Sequence, residues 1–273
     1  MLENERSPEL RETDMSKIVL IHGLWLTAAS WKNVAERFEE AGHEVLTPTW
    51  PGYGEVAQMR AHPEIANGLG VVEITDHVEK FIRDHHAEDA IIMGHSFGGL
   101  ITQKLLDRGL GKAGVAIHSA PVKGTLGLPF SSIKAAFPVL KNPANVKRNV
   151  ELSPEQWHYA FTNTLPAGEA EALRQRFAIT APGRPLWQAA TANFTTHNAT
   201  KVDFRNPDRA PLLFIASEGD NVVPASMNRE NARRYKGPAI TEIKEFPNRP
   251  HFVMGTAGWE EVADHALNWA DKF

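Results

Sequence analysis

The chain has 273 residues, 42% of them apolar and 23% charged, the balance of an ordinary globular protein that can bury one large core. Its 29 Lys and Arg against 33 Asp and Glu leave a net charge of −4, which argues against nucleic acid or an anionic membrane surface as partner. It has no cysteine, so disulfides, thiolate metal sites, iron–sulfur clusters and cysteine nucleophiles are excluded, and any nucleophile must carry oxygen or nitrogen.

Residues 1–14 hold Glu3, Glu5, Glu9, Glu12 and Asp14 with Pro8, and lack a clear periodicity; they read as a mobile tail. Without the apolar stretch of a secretory signal, a cytoplasmic location is expected. The longest apolar runs, such as 18–21 and 90–93, fall far short of the roughly 20 residues that span a bilayer. From Met15 onward, short aliphatic runs alternate with longer amphipathic stretches. Strands are predicted at 17–22, 43–49, 90–94 and 114–118, with helical patterns at 30–41, 72–85 and 97–108 between them. Such alternation is the signature of parallel strands joined by crossover helices.

The alternation then breaks. Residues 121–205 separate two strands, far more than the dozen or so residues that a crossover requires. Ser153-Pro154-Glu155-Gln156 offers a capping hydroxyl, a first-turn proline and a glutamine at the third helical position, which together read as a helix start. Further helical pieces are predicted at 130–140, 169–177 and 186–194. The aromatics Phe130, Phe137, Trp157, Tyr159, Phe161, Phe177, Trp187 and Phe194 are expected mainly to dock this insertion onto the body, with a minority lining a cavity. Strands at 211–217 and 240–246 and helices at 225–235 and 259–270 complete the chain. The expected organisation is a core formed by 15–120 and 206–273, with 121–205 inserted as a helical unit, and no repeat or linker.

The run 90–93 leads straight into Gly94-His95-Ser96-Phe97-Gly98-Gly99 and a helical pattern, so a Gly-x-Ser-x-Gly motif falls on a strand-to-helix turn. Side chains at Gly94 and Gly98 would collide with neighbouring backbone in so sharp a turn. Its effect is to expose Ser96 at a helix N-terminus, where N–H groups favour developing negative charge. The spacing does not fit Gly-x-Gly-x-x-Gly, and no lysine follows as in a phosphate-binding loop. A serine hydroxyl needs a base, and the base needs a carboxylate to hold its tautomer. Asp220 follows the strand at 211–217, at the sheet edge where open α/β sheets place their sites. Of the twelve histidines, His251 alone follows a strand end after that acid. The order Ser96, Asp220, His251 is the one that accompanies the motif; Asp203 and Asp208 are the other acids in reach of the role. Two backbone donors should face the oxyanion, the N–H of Phe97 and that of Leu24 in the turn His22-Gly23-Leu24-Trp25. His22 is expected to brace this loop and Trp25 to pack it or overhang the site. Asp84-His85-His86 reads as a solvated helix face rather than a metal site.

Over residue 17 to the C-terminus the chain resembles the α/β-hydrolase superfamily, in particular its serine carboxylesterase-like branch with a helical cap. The motifs that carry the resemblance are Val19-Leu20-Ile21-His22-Gly23, Pro51-Gly52-Tyr53-Gly54, Gly94-His95-Ser96-Phe97-Gly98-Gly99, Glu218-Gly219-Asp220 and Pro250-His251-Phe252. It implies a three-layer α/β-hydrolase fold, a mostly parallel sheet, a cap at 121–205, triad roles for Ser96, Asp220 and His251, oxyanion roles for Leu24 and Phe97, and no cofactor or metal. Two departures stand out. Members often carry an acid where this chain has Thr49, and too little chain precedes Lys17 for the opening antiparallel hairpin, so six strands are expected rather than eight. Serine at the elbow, instead of aspartate, argues against the haloalkane dehalogenase and epoxide hydrolase branches. The expected reaction is hydrolysis of a small to medium apolar carboxylic ester or lactone. Carbon–carbon bond hydrolysis, hydroxynitrile cleavage or acyl transfer, or a low-turnover ligand-binding receptor, are the alternatives. Non-ester chemistry would require polar groups such as Lys123, Lys134, His158 or His197 over the serine.

Overall fold

A computed structural model of the protein describes residues 15–127, 129–196 and 198–273. The expected tail at 1–14 lies outside them. Strands β1 (Lys17–Ile21), β2 (Glu44–Leu46), β3 (Ile91–His95) and β4 (Ala113–Ile117) are separated by helices α1 (Lys32–Glu40), α2 (Val56–Ala61), α3 (Val71–Asp84) and α4 (Phe97–Asp107). Between β4 and the next long strand lie helices α5 (Phe130–Leu140), α6 (Pro154–Phe161), α7 (Ala167–Phe177) and α8 (Arg184–Ala190), with the short strands β5 (Asn149–Val150) and β6 (Ala181–Pro182). The chain closes with β7 (Leu212–Ala216), α9 (Ala225–Arg234), β8 (Thr241–Glu245) and α10 (Trp259–Ala270).

The main sheet has six strands in the order β2-β1-β3-β4-β7-β8, every neighbouring pair parallel. Successive side chains of the central strands point to opposite faces. On one face Ile18, Leu20, Ile91, Met93, Val115 and Ile215 pack with Trp31, Phe38, Val262 and Trp269, which come from α1, α10 and the turn before α1. On the other, Val19, Ile21, Ile92, Ala116 and Phe214 meet Ile74, Val78, Leu100 and Leu105 of α3 and α4. Helices on both faces of a parallel sheet make three layers. The edge strand β8 exposes Glu242, Ile243 and Lys244, and such charges discourage pairing with another chain.

Several boundaries differ from the sequence-based expectation. The second strand spans three residues instead of 43–49, because Pro48 cannot donate to a ladder. The helix expected at 30–41 begins as a 3₁₀ turn, Ala28–Trp31, and the piece expected at 186–194 is α8 followed by a second 3₁₀ turn, Ala192–Phe194. Helix α2 and the antiparallel pair β5–β6 carry too few residues for periodicity to reveal. The capping box of α6 forms as read: Ser153 Oγ accepts from the Gln156 N–H at 3.2 Å, and Gln156 Oε1 accepts from the Ser153 N–H at 2.9 Å. The aromatics of the insertion divide. Trp157, Phe161 and Phe177 are buried, whereas Phe130, Phe137 and Phe194 are 79%, 58% and 86% exposed and do not dock on the body. Phe130 and Phe137 share the outward face of α5, whose inward face buries Ser132, Ala135 and Val139.

Candidate active site

The turn from β3 into α4 is as tight as its glycines suggest. A Cβ on Gly94 would overlap the Gly98 carbonyl, and one on Gly98 would overlap that of Ile21. Between them Ser96 adopts φ +58°, a left-handed conformation that is rare for a non-glycine residue and presents its side chain above the sheet edge. His251 Nε2 lies 2.9 Å from Ser96 Oγ, and His251 Nδ1 lies 2.7 Å from Asp220 Oδ2. The structure therefore brings the three sequence-predicted residues into one hydrogen-bonded chain. All three are buried, Ser96 retaining 5% of its surface. Asp203 and Asp208 are exposed, away from this chain.

Asp220 is held from both sides. Its Oδ1 accepts the N–H groups of Val222 at 2.7 Å and Val223 at 2.9 Å, which leaves Oδ2 for the imidazole. Burial alone would raise the carboxyl pKa, but the adjacent His251 and His118 outweigh it and hold the group well below the ordinary carboxylate range. His95 lies beneath the pair, its Nε2–H donating to the His251 carbonyl at 2.7 Å. Its own burial, followed by the neighbouring histidines, pushes its pKa well below the ordinary histidine value, so it is neutral at pH 7.

The loop after β1 passes directly over the serine. A Cβ on Gly23 would stand 2.8 Å from Ser96 Cβ and 3.4 Å from Oγ, so glycine is required for close approach rather than for an unusual φ. Leu24 directly follows this glycine, and Phe97 stands at the first position of α4. His22 braces the loop. Its ring is buried, with a pKa lowered by that burial to about 4, and its Nδ1–H donates to the Gly23 carbonyl at 2.9 Å. The same ring stacks on Trp50 and Tyr53, at 4.7 and 5.4 Å between centroids. This aromatic stack ties down the Pro51-Gly52-Tyr53-Gly54 loop where Thr49 replaces an acid.

Above Ser96 lies a cavity of about 140 Å³, walled by Ala120, Ile133, Leu140, Leu186, Ala189 and Met227 among others. Among the described residues that line it, the one polar side chain besides Ser96 is Ser132, whose hydroxyl is turned toward Met227 Sδ at 3.3 Å. A second lobe of about 30 Å³ also touches Ser96 and reaches His251, between Trp25, Leu152, Ala160 and Phe161. Trp25 is thus both a packing residue and a wall of the site, fixed by its indole N–H on the Val150 carbonyl at 2.9 Å.

A family profile described as "Alpha/beta hydrolase family" matches residues 18–265. The chain belongs to this family. Among curated relatives, a carbendazim hydrolyzing esterase of Nocardioides sp. is 36% identical over 94 residues, 34% of this chain and only 37% of that protein. A monoacylglycerol lipase of Mycolicibacterium smegmatis is 25% identical over 92% of this chain and 86% of its own. Among solved structures, a methylesterase from Arabidopsis superposes with TM-score 0.67 at 13% identity, covering 95% of this chain and 100% of that one. An extracellular alpha/beta-hydrolase from a Paenibacillus species gives 0.66 at 21% identity, covering 93% and 98%. At such identities the superpositions speak for the fold.

Within this α/β-hydrolase fold, several neighbours of the site were not singled out from the sequence. His95 stands inside the serine motif, and His118 directly follows β4 at the same sheet edge as Asp220 and His251, so a search for strand-end histidines would have found it. The cavity walls are Ala, Leu, Ile and Met, residue types without a chemical signature. The nearest nitrogens of His95, His118 and His251 spread over as much as 4.8 Å, wider than the roughly 3.3 Å between tetrahedral ligands of zinc. The expected solvated face at Asp84-His85-His86 is a helix end, where His85 stacks on Phe81 and Asp84 pairs with Lys80. Among the described residues, no helix is long and apolar enough to cross a membrane.

Proposed function

We propose that this α/β-hydrolase is a serine esterase that cleaves a small to medium, apolar carboxylic ester or lactone through an acyl-enzyme on Ser96. The observation that carries the reading is the continuous chain Ser96–His251–Asp220 opening into an apolar cavity. Ser96 Oγ attacks the carbonyl carbon while His251 Nε2 accepts its proton, and Asp220 stabilises the imidazolium. The N–H groups of Leu24 and Phe97 receive the oxyanion; among the described residues neither donates to another protein group. The tetrahedral intermediate collapses as His251 returns the proton to the departing alcohol, and a water activated by the same histidine then releases the acid.

We read the two lobes as receiving the two halves of the ester. The leaving alcohol must reach His251, and the lobe that touches His251 has room for two or three water-sized groups, enough for methoxy or ethoxy. The larger lobe takes the acyl part. We read residues 121–205 as the cap that supplies most of this wall, over a body formed by 15–120 and 206–273. The apolar lining favours ester over carbon–carbon or hydroxynitrile chemistry. Lys134 lies over the Tyr159 ring, Lys123 bonds the Thr195 carbonyl and His158 sits against Thr162, all outside the cavity lining; His197 lies outside the described residues. Esterase, lipase and methylesterase activities among the relatives support the same class. The partner implied is a small ester.

The test is a panel of lactones and of methyl, ethyl and butyl esters of acids of increasing length, with wild type and Ser96→Ala assayed side by side. Turnover by wild type alone, with methyl and ethyl esters preferred to butyl esters of the same acid, is expected. Equal rates for the two proteins on every ester and lactone would sink the proposal.

A further inference from the structure

His118 takes no part in the proton relay, yet it is fully buried at the centre of the site. It directly follows β4 with φ +45°, a backbone conformation that a histidine holds only where its surroundings impose it. Those surroundings are the reacting groups' own supports. The residues on either side grip the nucleophile: the Ser96 N–H donates to the Ile117 carbonyl at 2.9 Å, and the Ala120 N–H donates to the Ser96 carbonyl at 2.9 Å. The His118 N–H donates to the Ile215 carbonyl of β7 at 2.8 Å, the strand that delivers Asp220.

The ring of His118 reaches the acid itself. Its Nδ1 lies 3.1 Å from Asp220 Oδ2, the same oxygen that receives His251 Nδ1 at 2.7 Å, at an angle short of a well-formed hydrogen bond. An ionised carboxylate can only accept, so a hydrogen shared between the two groups belongs to His118 Nδ1. Its Nε2 has no partner among the described residues, and the ring has no other polar engagement.

We propose that His118 is a positioning residue for the acid: its Nδ1–H holds Asp220 Oδ2 toward His251 and shares the charge of that oxygen with it. The proposal rests on the reading of Ser96, His251 and Asp220 as a catalytic relay. Two imidazoles on one carboxylate oxygen divide its charge, so removing one leaves the whole of that charge to the other. The titratable side chains facing His251 are Asp220 from the loop after β7, His118 from the end of β4 and His95 from β3. Of these, His95 engages only the backbone carbonyl of His251, which leaves His118 as the group that acts through the acid.

The experiment is a histidine-ring NMR titration of the full chain, with the His251 signal assigned by its loss in His251→Gln. The variants are His118→Gly, which removes the ring and suits the left-handed backbone, and His118→Asn, which tolerates that backbone and keeps a donor at the Nδ1 branch position. In His118→Gly the His251 midpoint should rise by roughly half to one pH unit, the acid limb of kcat/KM should follow it, and kcat should fall about tenfold at unchanged KM. His118→Asn should restore the wild-type midpoint and most of kcat. An unmoved midpoint in His118→Gly, or an asparagine variant that behaves like the glycine one, overturns the proposal. So does a wild-type ¹⁵N spectrum in which His118 carries its proton on Nε2, a measurement that needs no variant to fold. The midpoint is read in the resting protein, so a chain inert toward every ester counts against the ester reading while the midpoint still judges His118.

Discussion

The smallest change that tests the oxyanion assignment is one methyl group, Gly23→Ala. The added Cβ would stand 2.8 Å from Ser96 Cβ, 3.0 Å from the His95 carbonyl oxygen and 3.4 Å from Ser96 Oγ. Carbon–carbon contacts are most favourable at about 3.5 to 4.0 Å, so something must yield by about 0.7 Å or more. Ser96 cannot yield easily, because its N–H is bonded to the last residue of β4 and its carbonyl to the segment that follows. The loop must lift, and the Leu24 N–H lifts with it. Losing one oxyanion donor costs about 3 kcal/mol of transition-state stabilisation, close to a hundredfold in kcat. Because the donor is aimed at the oxyanion rather than at the ground-state carbonyl, KM should stay within about threefold. The assay is steady-state hydrolysis of the best methyl ester, with a thermal melt to establish that the variant is folded; overpacking of this kind costs about 1 to 3 kcal/mol of stability. A folded Gly23→Ala protein with near wild-type kcat would refute the assignment of the Leu24 N–H. A raised KM with unchanged kcat would refute it too, and make the loop a substrate contact.

Asp220→Asn should lower kcat by about four orders of magnitude while the protein stays folded, since the amide favours the wrong His251 tautomer; steady-state kinetics and circular dichroism check both parts. Ala189→Phe fills the larger lobe and should shift the acyl preference toward acetate, lowering kcat/KM for octanoate relative to acetate by at least about tenfold; an unchanged chain-length profile would remove that lobe as the acyl site. His22 is neutral in the folded protein, with a pKa of about 4. The unfolded chain therefore binds the extra proton between roughly pH 6.5 and 4, and about 3 kcal/mol of stability is present above that window and lost as pH falls through it. Urea denaturation at pH 7.5 and 4.5 should give a flatter pH dependence for His22→Gln than for wild type, and parallel curves would exclude His22 as the cause.

Much of the body was legible from residue types because each rule involved is local. A glycine at 94 and another at 98 mean something only on a strand-to-helix turn, and the apolar run at 90–93 supplies the strand. Asp220 and His251 follow from where strands end, since a parallel sheet sends all its C-terminal ends to one edge. His118 obeys the same rule, directly following β4 at that edge, and went unassigned because catalytic logic needs only one base. The short pieces α2, β5 and β6 escaped because two to six residues carry no period.

The insertion at 121–205 was legible as a segment and illegible as a surface, and the difference has a physical origin. Helical periodicity says that α5 has two faces, but Phe130 and Phe137 on one side and Ser132, Ala135 and Val139 on the other give no cue that the aromatic side faces water. Orientation is set by what the helix packs on, and here small residues are needed inside because the cavity occupies that space. Alanines at 136, 189 and 190 act by leaving volume, and an absent side chain has no sequence signature. On the proposed function, selectivity resides where the sequence is least informative, and the chemistry at strand ends where it is most informative. It follows that enlarging one of these alanines should redirect which ester is accepted while the hydrogen-bond distances of the Ser96–His251–Asp220 chain stay as they are.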